Sequence, residues 1–251
     1  MNLKKKNIDF FTQHGWLKIT SMFKKKEIDI IEKKIDFFLK NKASQYKGRD
    51  INFADNSKNV KNINSFHKLH DVNWIKKLGN TKKITNFTKQ LIKSKKIELR
   101  ASEYFAKPKK IGLPVPIHQD NFYWNIIGGK ALTIWIALSQ SSKKNGALFY
   151  FDRSHKEGVC DHVASFAKGS SQKIKDNRIL KKYKKITPTL KKGDALFHHC
   201  EIAHGSLPNK SSYSRKGLTF QFKDKNSKYD KKLIKKYEKN LLKQIKKRNY
   251  I

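Results

Sequence analysis

Residues 131–151 read ALTIWIALSQSSKKNGALFYF. Two apolar runs, Ala131–Leu138 and Ala147–Phe151, have strand length and the β-branched and aromatic content of strands. The polar stretch between them ends in Asn145-Gly146, a dipeptide that predicts a hairpin turn. Working outward, runs of the same texture recur at Ile97–Ala106, Ala195–His198 and Leu218–Phe222. Short strands punctuated by turns, without a helix between each pair, predict an antiparallel sandwich or jelly roll, not a parallel sheet.

Towards the N-terminus the pattern becomes helical. Residues 8–14 predict a short helix stopped by Gly15, followed by a strand at Trp16–Ile19. A longer helix starts near Lys24, with Ile28, Ile31, Ile35 and Phe38 at helical spacing. Residues 41–65 are polar and read as an ordered loop or a mobile cover. Another helix is predicted from Val72 to about Lys95, on Trp74, Ile75, Leu78, Ile84, Phe87 and Leu91. The Lys/Ser/Gly/Asn-rich stretch 163–185 reads as a lid or a solvated insertion. In the last 29 residues Leu233, Ile234, Tyr237, Leu241, Leu242 and Ile245 mark one face of a basic helix, expected to pack on the jelly roll's outer face. The expected organisation is one unit over 1–251: a mainly helical part (1–96), a strand-built core (97–222) and the basic helix (223–251). No internal repeat is visible.

The 251 residues carry a formal net charge of +38, from 58 Lys and Arg against 20 Asp and Glu. Only six of the 58 are Arg, and Ile, Asn and Phe are abundant while Ala, Gly and Pro are scarce. That is the signature of an A/T-rich coding sequence, and the Lys residues are scattered from end to end. The charge therefore favours anionic small molecules without pointing to a specific nucleic-acid partner. Two cysteines outside any paired or metal-binding spacing fit a reducing interior. No stretch is apolar enough for a signal sequence or a membrane span, so a cytoplasmic location is expected.

His118-Gln119-Asp120 puts an imidazole and a carboxylate two residues apart, on one face if the chain is extended. Chance alone produces such a pair in roughly every second sequence of this composition, so context decides. The context is Pro114 and Pro116 before the motif and Asn121-Phe122-Tyr123-Trp124 after it. A strand centred on Trp135 follows, then Asn145-Gly146, Ser154-His155-Lys156, Gly193-Asp194-Ala195-Leu196-Phe197, His204-Gly205-Ser206 and Arg215. Two His and one carboxylate on one face of a metal suit non-haem Fe(II).

This ordered series resembles the phytanoyl-CoA dioxygenase family of Fe(II)/2-oxoglutarate-dependent oxygenases over nearly the whole chain. The resemblance implies a mostly β fold with flanking helices: a double-stranded β-helix, that is, a distorted, cupin-like jelly roll. It also implies an enzyme that couples decarboxylation of 2-oxoglutarate to succinate and CO2 with O2-dependent hydroxylation of a small molecule. By position, His118, Asp120 and His204 are the implied iron ligands. Arg215 is the implied anchor for the distal carboxylate of 2-oxoglutarate, with Ser206 adding a bond; Gln119 and Trp135 resemble residues lining the cosubstrate pocket, and Lys68 one that reaches the cosubstrate. Halogenating relatives lack the carboxylate that Asp120 supplies, which favours hydroxylation here. The family's Pro-Gly before Ser-His is replaced by Asp152-Arg153, which puts the turn in question and would bring a cation near the pocket mouth. Phe122, Tyr123 and Trp124 read equally as pocket wall or core; His155 as a substrate contact or a turn anchor; His198 and His199 as packed or hydrogen-bonded core residues, or one of them as a contact to a metal ligand. His14, His67, His70 and His162 receive no role. Two other readings stand beside the hydroxylase: a non-catalytic basic jelly-roll binding protein with a degenerate metal site, and a nucleic-acid demethylase.

Overall fold

The computed structural model describes residues 2–248, so the end of the predicted C-terminal helix, 249–251, lies outside the described residues. Helix α1 (Lys5–His14) stops where expected: Gly15 adopts φ 76° and its N–H closes on the Phe11 carbonyl. Strand β1 (Trp16–Ile19) and helix α2 (Lys25–Lys42) follow, α2 burying Ile28, Ile31, Ile35 and Leu39. The expected loop at 41–65 instead contains strands β2 (Ile51–Phe53) and β3 (Ile63–Phe66), too short to carry a period-2 signal. The single helix expected at 72–95 is two, α3 (Asn73–Gly79) and α4 (Lys82–Leu91). The break falls at Gly79, where a Cβ would lie 2.7 Å from the Phe220 ring.

Among the described residues ten further strands and two further α-helices follow. Strands β4 (Ile97–Lys107) and β5 (Val115–His118) precede the single turn of helix α5 (Asn121–Trp124). Strands β6 (Ala131–Ala137), β7 (Leu148–Phe151), β8 (His162–Ala167), β9 (Ser170–Ile174) and β10 (Lys185–Ile186) come next. Strands β11 (Ala195–His199), β12 (His204–Ser206) and β13 (Arg215–Asp224) lead to helix α6 (Lys231–Arg248). They form a seven-stranded sheet, β1-β11-β6-β13-β4-β3-β2, and a four-stranded sheet, β10-β7-β12-β5, all pairs antiparallel. The fold is the jelly roll expected from the strand pattern.

Parity along the central strands sorts the side chains. From β6, β11 and β13, Leu132, Ile134, Ile136, Phe197, Leu218, Phe220 and Phe222 pack with the helices in the main core. Trp135, Ala137 and Leu196 turn the other way and meet Tyr150 and Leu148 of the smaller sheet. Both faces of β6 are therefore covered, which is why residues 131–137 read as a continuous apolar run.

Asn145-Gly146 does not close a hairpin. Both edges of β6 are already occupied, by β11 and β13, so β7 has to enter the opposite sheet. The dipeptide ends a 3-10 turn, with Asn145 bonded to the Ser142 N–H and the Gln140 carbonyl, and Gly146 at φ 78° redirects the chain. Within the segment expected to lack strands, β8 and β9 form their own two-stranded hairpin. Helix α6 packs on that hairpin and on α5 instead of the sandwich's outer face: Asn240 donates to the His162 carbonyl and Gln244 accepts the Phe166 N–H. Tyr237, Leu241 and Ile245 face the large cavity, whereas Leu242 is exposed. Among the described residues no helix is long and apolar enough to cross a membrane.

Candidate active site

The smaller sheet joins the two halves of the metal motif. In the β5–β12 ladder His118 and His204 are direct cross-strand partners, so both imidazoles emerge on the same face, their ring centroids 4.3 Å apart. Asp120 arrives differently from the expectation. The strand ends at His118, and Asp120 has helical backbone angles (φ −59°, ψ −36°) at the start of α5. It is this turn, not an extended chain, that brings the carboxylate round: Asp120 Oδ1 lies 3.6 Å from His118 Nε2 and 3.7 Å from His204 Nε2. One ligand atom from each of the three residues falls within 4.8 Å of the others, a donor set that fits a divalent iron with open positions.

Hydrogen bonds behind the triad decide which atoms face the metal position. His118 Nδ1 is 2.8 Å from the Pro116 carbonyl and His204 Nδ1 is 3.0 Å from that of Ile202. A carbonyl only accepts, so both Nδ1 atoms carry hydrogen and both Nε2 lone pairs point at the site. Burial first, then neighbouring His118, drives His204 down to about 3, so it is neutral, as a ligand must be. Burial alone would push the Asp120 carboxyl up, but His204, His118 and His198 together hold it well below the ordinary carboxylate range. Its second oxygen is occupied: Thr133 donates at 2.6 Å and His198 Nε2 at 3.2 Å, while Tyr150 O–H donates to His198 Nδ1 at 3.1 Å. His198 is thus a support for Asp120 and not only a packed core residue. Strand parity could have found both supports, because Thr133 is two residues from Trp135 on β6 and pairs with His198 on β11.

Arg215 and Ser206 line the same cavity of about 920 Å³ as the triad. Arg215 is 2% exposed; one terminal nitrogen donates to the Gly146 carbonyl at 2.9 Å and the guanidinium lies 5.1 Å from the Trp135 ring centroid. Gly217 leaves room for that indole, since a Cβ there would fall 2.1 Å from it. The Arg215 Nε and the Ser206 hydroxyl, both buried, have no hydrogen-bond partner within the protein. Two orphaned donors beside a guanidinium fit a carboxylate. Trp135 and half-buried Lys68 also line the cavity. Gln119 does not: between the two motif residues it faces the other way, its amide donating to the Gly158 and Glu201 carbonyls and accepting the Cys160 N–H. It clamps loops instead of lining the pocket. His162, to which no role fell, accepts the Gln119 N–H and stacks on Phe122.

The other residues left open by the sequence divide cleanly. Tyr123 and Trp124 are cavity wall, whereas Phe122 belongs to the core. His155 contacts the Thr12 carbonyl and His199, so it anchors a turn. Asp152 accepts from His14 and from the Trp16 indole, tying α1 and β1 to the sandwich, and Arg153 takes φ 69° in place of the family's glycine. Arg153 is not part of the cavity, so the cation expected at its mouth is elsewhere.

Lys107 was invisible as a special residue in so lysine-rich a chain. It is the register partner of Arg215, 1% exposed, and donates to the Leu113 carbonyl. Burial, then the Arg215 charge, pushes its ammonium down from 10.5 to about 6. The unfolded chain therefore holds a proton that the folded chain releases between those pH values, and stability from this group rises with pH across that window. Lys107→Met should stabilise the protein by ~2 kcal/mol or more at pH 6.5 and hardly at all at pH 9.5, because the lost hydrogen bond offsets the smaller charge penalty there. Urea unfolding at the two pH values checks it; an equal gain at both would refute the assignment.

A family model described as phytanoyl-CoA dioxygenase (PhyH) matches residues 11–217. The chain is similar to "Phytanoyl-CoA dioxygenase domain-containing protein 1" of Danio rerio, with 28% identity over 154 residues, 58% of this chain and 51% of that one. It is also similar to the "Probable alpha-ketoglutarate-dependent hypophosphite dioxygenase" of Stutzerimonas stutzeri, with 30% identity over 148 residues, 57% of this chain and 51% of that one. The chain spans about half the length of these curated relatives. Among solved structures, EctD from S. alaskensis with bound Fe superposes with a TM-score of 0.75 at 18% identity, covering 91% of this chain and 79% of that one. The topology, the His-Asp-His cluster and a family match over most of the length agree: the chain belongs to the phytanoyl-CoA dioxygenase family.

Proposed function

We propose that the protein is an Fe(II)- and 2-oxoglutarate-dependent dioxygenase that hydroxylates a small molecule. The observation that carries this reading is the pairing, in one cavity, of a His-carboxylate-His donor set with the buried Arg215 Nε and Ser206 hydroxyl, neither of which has a hydrogen-bond partner among the described residues. His118, Asp120 and His204 hold the iron through Nε2, Oδ1 and Nε2. Arg215 and Ser206 hold the distal carboxylate of 2-oxoglutarate, Trp135 stacks beside the guanidinium, and Lys68 supplies a further cation on the cavity wall. Iron with 2-oxoglutarate supplies oxidative decarboxylation, to succinate and CO2, that drives O2-dependent hydroxylation. The protein's own part is to keep the His204 imidazole neutral, to aim both Nε2 atoms at the metal through the Nδ1 bonds behind them, to fix Asp120 through Thr133 and His198, and to enclose the cosubstrate away from bulk water.

Anaerobic addition of Fe(II) and 2-oxoglutarate should produce a weak visible charge-transfer band that neither addition produces alone. A chain that merely binds ligands through a degenerate site would form no such band, and its absence would sink the proposal.

A further inference from the structure

The cavity holds a second arginine whose placement the cosubstrate does not explain. Only six of the 251 residues are Arg, yet Arg49, Arg100 and Arg215 all line this one cavity. In a chain that uses Lys almost everywhere, arginines gathered at one site mark a demand for the planar fork. Arg100 is exposed, and a defect in the sheet places it on the cavity side. On β13, Gln221 pairs with Ala101 and the next residue, Phe222, pairs with Leu99, so Arg100 is the extra residue of a β-bulge. Leu99 packs towards the helices and Ala101 faces the cavity; the bulge adds Arg100 to the cavity side.

Its surroundings hold the guanidinium without neutralising it. Among the described residues its one hydrogen bond is to Gln221 Oε1, at 2.9 Å, and it lies 5.3 Å from the Trp124 ring centroid. Gln221 Nε2 donates to Glu103 Oε2 at 2.6 Å, and His67 Nδ1 meets Glu103 Oε1 at 2.7 Å, so that carboxylate is already engaged. Among the described residues no carboxylate makes an ion pair with Arg100, Lys47 or Arg49; the charges of Glu103 and Asp120 act on Arg100 only from farther off. From Arg100 the wall continues through Trp124 to Tyr123, whose ring sits edge-on to His118, 5.7 Å between centroids. A cation at one end, aromatic faces between and the metal ligands at the other describe a ligand with a charged head and an apolar body.

We propose that Arg100 is the substrate anchor, and that the substrate is an organic acid whose carboxylate or phosphate it holds while an apolar body reaches along Tyr123 to the iron. This rests on the oxygenase reading, with Arg215 taken by 2-oxoglutarate and Arg100 left for the substrate. The test is anaerobic calorimetry on protein loaded with Fe(II) and 2-oxoglutarate, so that Arg215 is occupied. The probes are hexanoate, hexyl phosphate and neutral hexanamide at constant ionic strength. In the wild type one of the two anions should bind at least about tenfold tighter than the amide, and which one does so identifies the head group. Arg100→Gln should bring that ratio close to one, while Arg100→Lys should keep part of it through charge alone. Equal affinity for acid and amide, no anion binding at millimolar concentration, or discrimination that survives in Arg100→Gln would each overturn the proposal. The visible band separates this from failure of the oxygenase reading, because Arg100→Gln should form it with unchanged demand for 2-oxoglutarate.

Discussion

Asp120→Ala should lower Fe(II) affinity by more than ~100-fold, beyond the 10–100-fold that loss of an outer hydrogen-bond partner typically costs a metal site. The carboxylate is the only anionic member of the donor set, and its Oδ1 lies almost equidistant from the two Nε2 atoms. Removing it leaves two imidazoles and no negative charge to balance the metal's. Thr133→Val provides the graded control: it deletes the 2.6 Å bond to the other carboxylate oxygen while leaving all three ligands in place. Its affinity should fall between wild type and Asp120→Ala. Anaerobic Fe(II) titration of the three proteins gives the order directly, and a Thr133→Val loss as large as that of Asp120→Ala would mean that Asp120 is not itself a ligand.

Arg215→Lys should raise the 2-oxoglutarate concentration needed for half-saturation by about 100-fold, with a much smaller change in the rate at saturation. Two effects act together. A lysine cannot supply the two parallel N–H bonds of the guanidinium. Burial also disfavours an ammonium here: burial, then the Arg215 charge, pushes its register partner Lys107 down to about 6, whereas burial brings Arg215 only to about 10, still charged at neutral pH. A lysine at 215 would therefore be mostly neutral at pH 7, and a buried charge pair broken from one side costs about 3–5 kcal/mol. Ser206→Ala, which removes one neutral donor, should cost only about tenfold. Titrating the visible band with 2-oxoglutarate measures all three, and wild-type affinity in Arg215→Lys would exclude a carboxylate at this position.

Much of the site was legible because its residues are rare types in an ordered series. His118, Asp120, His204 and Arg215 stand out in a lysine-rich chain, and their order along it carried the family resemblance. The residues that sequence reading missed are common types made special by their neighbours: Thr133, His162 and Lys107. Gln119 shows the converse, since adjacency in sequence to two ligands suggested a pocket residue, whereas alternation turns its side chain to the loops behind.

What the sequence determined by itself was the class of fold, because strand texture and turn residues are local properties of the chain, while the candidate metal-binding groups came through the family resemblance that their ordered series carried. The tertiary structure decided pairing and direction. It sent the chain past Asn145-Gly146 into the opposite sheet, set His204 across from His118, and inserted a bulge that places Arg100 on the cavity side. Those outcomes depend on which strand edges are already occupied and on which face a register leaves buried, and both are settled only when segments distant in the chain meet.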